Sequence, residues 1–226
     1  MRVELTGLKM RKLILTTGAL MTIIVINGRF HPEIRPNTSP NRATLSQLRP
    51  SPLQTLPMAF EPVSTIGGQD GEFSARGNGY RILIQPNGAI LDRLNDRVSG
   101  SQPFKMRFLA TNNSRRLSGV DTLPGTVNYF VGTDQRKWKT GIRTYSKVKC
   151  QNLYPRTDVL YYGTNRDLEY DFVLHPGADP SDIKIAVSGL GRSGSAELNA
   201  QGDLELRSTA GVYKFHAPVA YQVQRD

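Results

Sequence analysis

The chain has 226 residues, 21 glycines, 14 prolines and a formal net charge of +10, which allows one ordinary turn-rich domain and a tail. Its single cysteine, Cys150, excludes an intramolecular disulfide and a cysteine-based zinc set. Six cations against two carboxylates in residues 1–35 hold +4 of the charge, leaving +6 on residues 36–226, a balance that suits polyanion contact or an anionic cell surface and is silent about fold.

In chain order, Met10–Ile26, "MRKLILTTGALMTIIVI", places Arg11 and Lys12 before an uncharged apolar run from Leu13 to Ile26. As a helix that run spans about 21 Å, short of the roughly 30 Å hydrocarbon core, so it fits the h-region of a secretory signal. The following "NGRFHPE" lacks a small-x-small cleavage site. Two readings therefore stand for residues 1–26, a cleaved signal peptide and a retained membrane anchor through residues 13–26, and they place the chain in the secreted or cell-surface class. Residues 27–56, punctuated by Pro32, Pro36, Pro40, Pro50 and Pro52, predict a disordered linker too poor in apolar surface to offset its ordering entropy.

Residues 57–226 have a dominant period of two. "YRILIQPNGAILDRL" predicts a hairpin turning at Pro86-Asn87-Gly88, where Asn-Gly supplies positive φ. "KMRFLA" and "TVNYFVG" are short apolar runs, and "GIRTYSKVKC" alternates up to Cys150, predicting an inert, partly buried thiol. "VLYYG" and "LEYDFVL" face each other across Gly163–Arg166, and "SAELNAQGDLELRSTAGVYKF" predicts two more hairpins. No apolar helical period lasts beyond about two turns. The fold class is all-β, an antiparallel β-sandwich preceded by a signal or anchor helix and a disordered linker.

"DLEYDFVLHPGADPSDIKI" holds the densest acidic group. On a strand, Leu168, Tyr170, Phe172 and Leu174 share the core face, while Glu169 and Asp171 lie on the other, about 7 Å apart. That spacing suits a glycosidase pair, but neighbours on one flat face point in parallel, so a solvated face or cross-strand ion pairing is the preferred reading. Asp179 and Asp182 offer oxygen ligands for calcium, against a simpler role capping a turn after Pro180. His175 has no partner histidine at metal spacing, and no nucleophile elbow marks a serine for a Ser–His–Asp set.

"TDQRKWKTGIR" is the one candidate binding segment: Arg136, Lys137, Lys139 and Arg143 surround Trp138, the only tryptophan. An exposed indole among cations suits an anionic glycan or cell-surface component; the alternative is a ring anchoring the loop in the core beneath lysine and arginine stems.

In order, "PMAFEP", "ARGNGY", "LPGTVNYFVGTDQRKWKTGIRTYSKVKCQNLYPRTDVLYYG", "LEYDFVLHPGADPSDIKI", "GDLEL" and "APVAYQ" resemble the uncharacterised N-terminal β-rich domain of large secreted bacterial proteins that carry SBBP-type β-propeller repeats. The resemblance spans about residues 57–222, with "VSTIGGQD" replacing the family's usual polar stretch after Glu-Pro. It implies an extracytoplasmic module that leads into C-terminal propeller repeats, absent here after Asp226, and it implies no activity. The expectation is a non-catalytic structural or adhesive module, with acidic-polysaccharide binding as the alternative and a glycan hydrolase third. No catalytic residue, metal ligand or cofactor is assigned, and the ligand-binding candidates are Arg136, Lys137, Trp138 and Lys139. Nucleic acid is not expected as a partner.

Overall fold

The computed structural model describes residues 3–6, 22–33, 56–63, 71–77, 79–94, 102–164, 167–208 and 211–224. Among them the regular structure is strand, with 3-10 turns at Gln135–Lys137 and Pro180–Asp182. One sheet contains β1 (Val3–Thr6), β3 (Glu61–Pro62), β4 (Phe73–Arg76), β5 (Tyr80–Gln85), β6 (Gly88–Arg93), β7 (Phe104–Phe108) and β12 (Lys184–Ser188), in the order β1-β12-β7-β6-β5-β4-β3. The other contains β2 (Thr22–Glu33), β8 (Arg116–Tyr129), β9 (Lys139–Tyr154), β10 (Thr157–Gly163), β11 (Leu168–Leu174), β13 (Ser195–Leu198), β14 (Leu204–Ser208) and β15 (Gly211–Phe215), in the order β13-β14-β15-β2-β11-β10-β9-β8. In this second sheet β16 (Val219–Gln224) also pairs with β2. The strand pairings are antiparallel, and the expected sandwich is what the chain forms.

Alternation explains the core. β5 and β7 bury every second residue, Tyr80, Ile82 and Ile84 on one and Phe104, Met106 and Phe108 on the other. The second sheet answers with Val148, Cys150, Val159, Tyr161, Tyr170, Phe172, Tyr213 and Phe215. The two layers meet ring on ring. Phe104 stacks on Tyr213 at 4.5 Å, and Phe108 meets Phe172 edge-on at 5.3 Å. Cys150 is fully buried and its thiol lies 3.5 Å from the Pro86 carbonyl; burial pushes that thiol up to about 11, as an unreactive core group requires.

Three features differ from the sequence reading. The β5–β6 turn is centred on Pro86 and Asn87, since Gln85 pairs with Gly88. The positive φ therefore falls on Gly88 (φ 151°), where a Cβ would stand 2.0 Å from the Met106 carbonyl oxygen of β7. The glycine permits close strand approach rather than forming the turn.

The second difference concerns the N-terminal segment. Residues 10–21 and 34–55 lie outside the described residues, but Thr22–Glu33 form one continuous strand across the expected boundary at Ile26. "TIIVI" is β-branched throughout, which favours an extended backbone. Its pairing with β11 from Ile24 to Phe30 makes it an interior strand of the sheet. Gly28 accommodates this, because a Cβ there would lie 2.4 Å from the Tyr170 ring.

The third difference is Asp171. Tyr170 and Phe172 point inward as expected, but Asp171 is also buried, at 8% exposure, and accepts a 3.2 Å hydrogen bond from the Tyr162 hydroxyl. Asp171 is therefore shielded from solvent, while Glu169 on the same face ion-pairs with Arg29 of β2 at 3.6 Å, the cross-strand pairing expected there. Phe172→Ala should cost about 3–5 kcal/mol as a core cavity. Asp171→Ala should cost about 1–2 kcal/mol through the lost hydrogen bond, and Glu169→Gln within about 0.5 kcal/mol. Urea unfolding of the three variants checks that order; equal losses at 169 and 172 would contradict the faces.

Candidate functional site

β8 and β9, of 14 and 16 residues, are the longest described strands, and they pair along the edge of the second sheet. β10 backs β9 only from Tyr154 to Val148. At Tyr145 the neighbour is Phe60, which exchanges two backbone hydrogen bonds of 2.8 Å with it. From Thr144 outward, β9 has β8 as its strand neighbour among the described residues. Beyond Tyr145 the hairpin is a two-stranded ribbon whose far end stays in touch with β3 through Tyr129 and Glu61.

Polar contacts hold the ribbon at its far end and along its length. The Tyr129 hydroxyl donates to Glu61 at 2.5 Å, and Ser74 donates to the same carboxylate oxygen at 3.2 Å. Burial and then the Glu61 contact raise the Tyr129 hydroxyl above its ordinary value. Nearer the root, Thr144 donates to the Gly125 carbonyl at 3.0 Å, and the Gly141 amide to the Asn128 side chain at 2.7 Å.

The far end of the ribbon carries all four sequence-predicted binding residues, three in the connection and Lys139 as the first residue of β9. Asp134 caps the Gln135–Lys137 turn by accepting from the Arg136 amide at 3.2 Å, and it takes a 3.0 Å bond from the Arg136 guanidinium. Arg136 holds that carboxyl below its ordinary value. Lys137 is exposed, while Trp138 and Lys139 are half-exposed. The Trp138 indole N–H donates to the Gly132 carbonyl at 3.1 Å. The indole is not part of the buried core; it packs at the ribbon tip against Phe130, 5.1 Å away and nearly perpendicular at 86°.

Phe130 and Val131 were missed as site residues. They are 62% and 68% exposed, although their string "TVNYFVG" is a short apolar run. The clue lay in their position where a long hairpin turns back. The tip therefore joins two exposed apolar side chains, a satisfied indole and a basic rim, and it can hold an anionic partner that also offers an apolar contact.

The buried acids elsewhere act as clamps between chain segments. Asp167 is bonded by the Arg29 guanidinium across the β2–β11 pair. Asp158 accepts from the Asn152 amide at 2.9 Å and sits 2.9 Å from Lys149 and 3.2 Å from His175. Burial opposes its ionisation, but these partners prevail and its carboxyl is held below the ordinary value. Asp179 is a turn cap, accepting from the Ser181 amide at 2.8 Å. Among the described residues, no group of three His, Cys, Asp or Glu side chains is placed to hold a metal ion.

Asp203 accepts from the Ala217 amide and meets Lys214, both at 2.9 Å, tying β14 to the far end of β15. The Ala217 bond first, then Lys214, hold its carboxyl down to about 2 from an ordinary 3.8. A folded-state value below the unfolded one contributes stability that is complete above about pH 4 and lost as pH falls towards about 2. With solvent screening, Asp203→Asn should cost about 1 kcal/mol at neutral pH and nothing below about pH 2. Unfolding across that range checks it; a difference independent of pH would contradict it.

No curated protein and no solved structure matches the chain. Residues 64–226, well over half of the chain, match the sequence model of the family described as Domain of unknown function (DUF7948), and the chain belongs to that family.

Proposed function

We propose that the chain is a non-catalytic, extracytoplasmic structural or adhesive module that meets its partner through the tip of the β8–β9 ribbon. The observation that carries this reading is the tip itself. Exposed Phe130 and Val131 stand beside Trp138, Arg136 and Lys137, at the end of a ribbon anchored by Phe60 and Glu61. Scaffold needs do not call for large apolar side chains in water, and an apolar surface rimmed by polar residues is the form an interaction site takes.

The resemblance to the N-terminal domains of secreted SBBP-repeat proteins supports a place outside the cytoplasm, secreted or at the cell surface. The sandwich then acts as a rigid base for the ribbon. An acidic polysaccharide is the second reading, favoured by Trp138 standing next to Lys137 and Lys139 in the chain.

The test uses the purified full chain and isolated envelope fragments from the source cell. Wild type should sediment with them, more weakly at high salt because the attraction is partly Coulombic. The Phe130→Ser/Val131→Ser/Lys137→Ser variant should lose most of that binding. Equal sedimentation of both forms, or none of either, would contradict the tip as the contact surface.

A further inference from the structure

We infer that the partner of the ribbon tip is an anionic lipid bilayer, into whose interface Phe130, Val131 and Trp138 insert. The inference rests on the tip being the contact surface and names what it contacts. Three observations favour acyl chains over sugar. First, two exposed tip side chains, Phe130 and Val131, carry no polar atom and are 62% and 68% exposed. A sugar's hydroxyl groups gain nothing from them, whereas the bilayer interface accommodates aromatic and aliphatic groups.

Second, Phe130 stands nearly perpendicular to Trp138, at 86° with ring centroids 5.1 Å apart. The pair forms a wedge, not the flat platform on which a pyranose stacks. Third, the indole N–H is already bonded to the Gly132 carbonyl at 3.1 Å. A sugar-binding tryptophan would offer that donor to a hydroxyl. Here it is satisfied within the tip, so the ring can leave water without stranding a polar atom.

Charge completes the match. Residues 126–143 contain Arg136, Lys137, Lys139 and Arg143 against the single carboxylate of Asp134, a net of +3. Asp134 is occupied by Arg136, while Lys137 is exposed and has no carboxylate partner among the described residues. Lipid phosphates at the headgroup level would meet these cations while the apolar residues reach the acyl boundary. Each cation near such a surface raises affinity by about fivefold. The insertion is shallow and reversible, as expected for a few side chains on a loop.

Trp138, the only tryptophan, reports the tip without a label. The full chain is titrated with vesicles of phosphatidylcholine, with and without phosphatidylglycerol, and with vesicles carrying brominated acyl chains. The expected result is a blue shift of Trp138 emission and bromine quenching on the anionic vesicles, both weakened at high salt. Phe130→Ser with Val131→Ser should weaken vesicle affinity about tenfold, and Lys137→Ser about fivefold, with unchanged unfolding midpoints confirming folded variants. Sedimentation with vesicles while Trp138 emission stays unmoved would place the membrane contact elsewhere and overturn the inference. A Trp138 response to acidic polysaccharide but not to vesicles would overturn it in favour of a glycan partner. Tip-dependent binding to envelope fragments would then still uphold the contact surface, whereas loss of that binding too would remove both readings.

Discussion

The aromatic seam between the two sheets is the constraint on which the rest of the structure depends. β7 lies inside the smaller sheet, between β6 and β12, and sends Phe104 and Phe108 into the gap. Phe104 meets Tyr213 at 4.5 Å and Phe215 at 6.0 Å, and Phe108 meets Phe172 at 5.3 Å and Tyr161 at 6.5 Å. One short strand thus grips β10, β11 and β15 of the opposite layer. Each buried ring removes about 150–250 Å² from water, and at about 25 cal/mol per Å² the seam is worth several kcal/mol per ring as an upper bound. No disulfide shares that load, since Cys150 is the only cysteine.

With the layers joined by apolar rings, the polar groups serve the edges and strand ends. Asp158, Asp167 and Asp203 each meet a cation from another segment, Lys149, Arg29 and Lys214 respectively. A buried carboxylate is tolerated because such partners satisfy it. The ribbon obeys a different rule. Its connecting residues Phe130 and Val131 are exposed, contribute little to the core and are free to vary in chemistry. An apolar tip with cations is permitted there by the fold and is not required by it.

Much of this arrangement was legible in the residues. Period-two alternation in "YRILIQ", "GIRTYSKVKC" and "LEYDFVL" marks three strands that the structure contains, and the inward set of Leu168, Tyr170, Phe172 and Leu174 is buried as read. Periodicity identifies faces but not what covers them. Asp171 is on the outward face of β11, yet Tyr162 of the neighbouring β10 reaches over it, a contact set by pairing register. Phe130 and Val131 show another limit: an apolar run does not say whether it is covered, and these two stand exposed where the hairpin turns back. Four cations around the single tryptophan were visible at once; the perpendicular Phe130 that makes the tip a wedge was not, because it depends on how the turn folds back.

The account separates a core that holds the fold from a tip that contributes to contact alone. Denaturant unfolding of Phe104→Ala beside Phe130→Ser/Val131→Ser tests that division most directly. It predicts a loss of about 3–5 kcal/mol for Phe104→Ala and a change within about 0.5 kcal/mol for the tip variant. A tip variant as destabilised as Phe104→Ala would show that the ribbon end is part of the core and contradict the account.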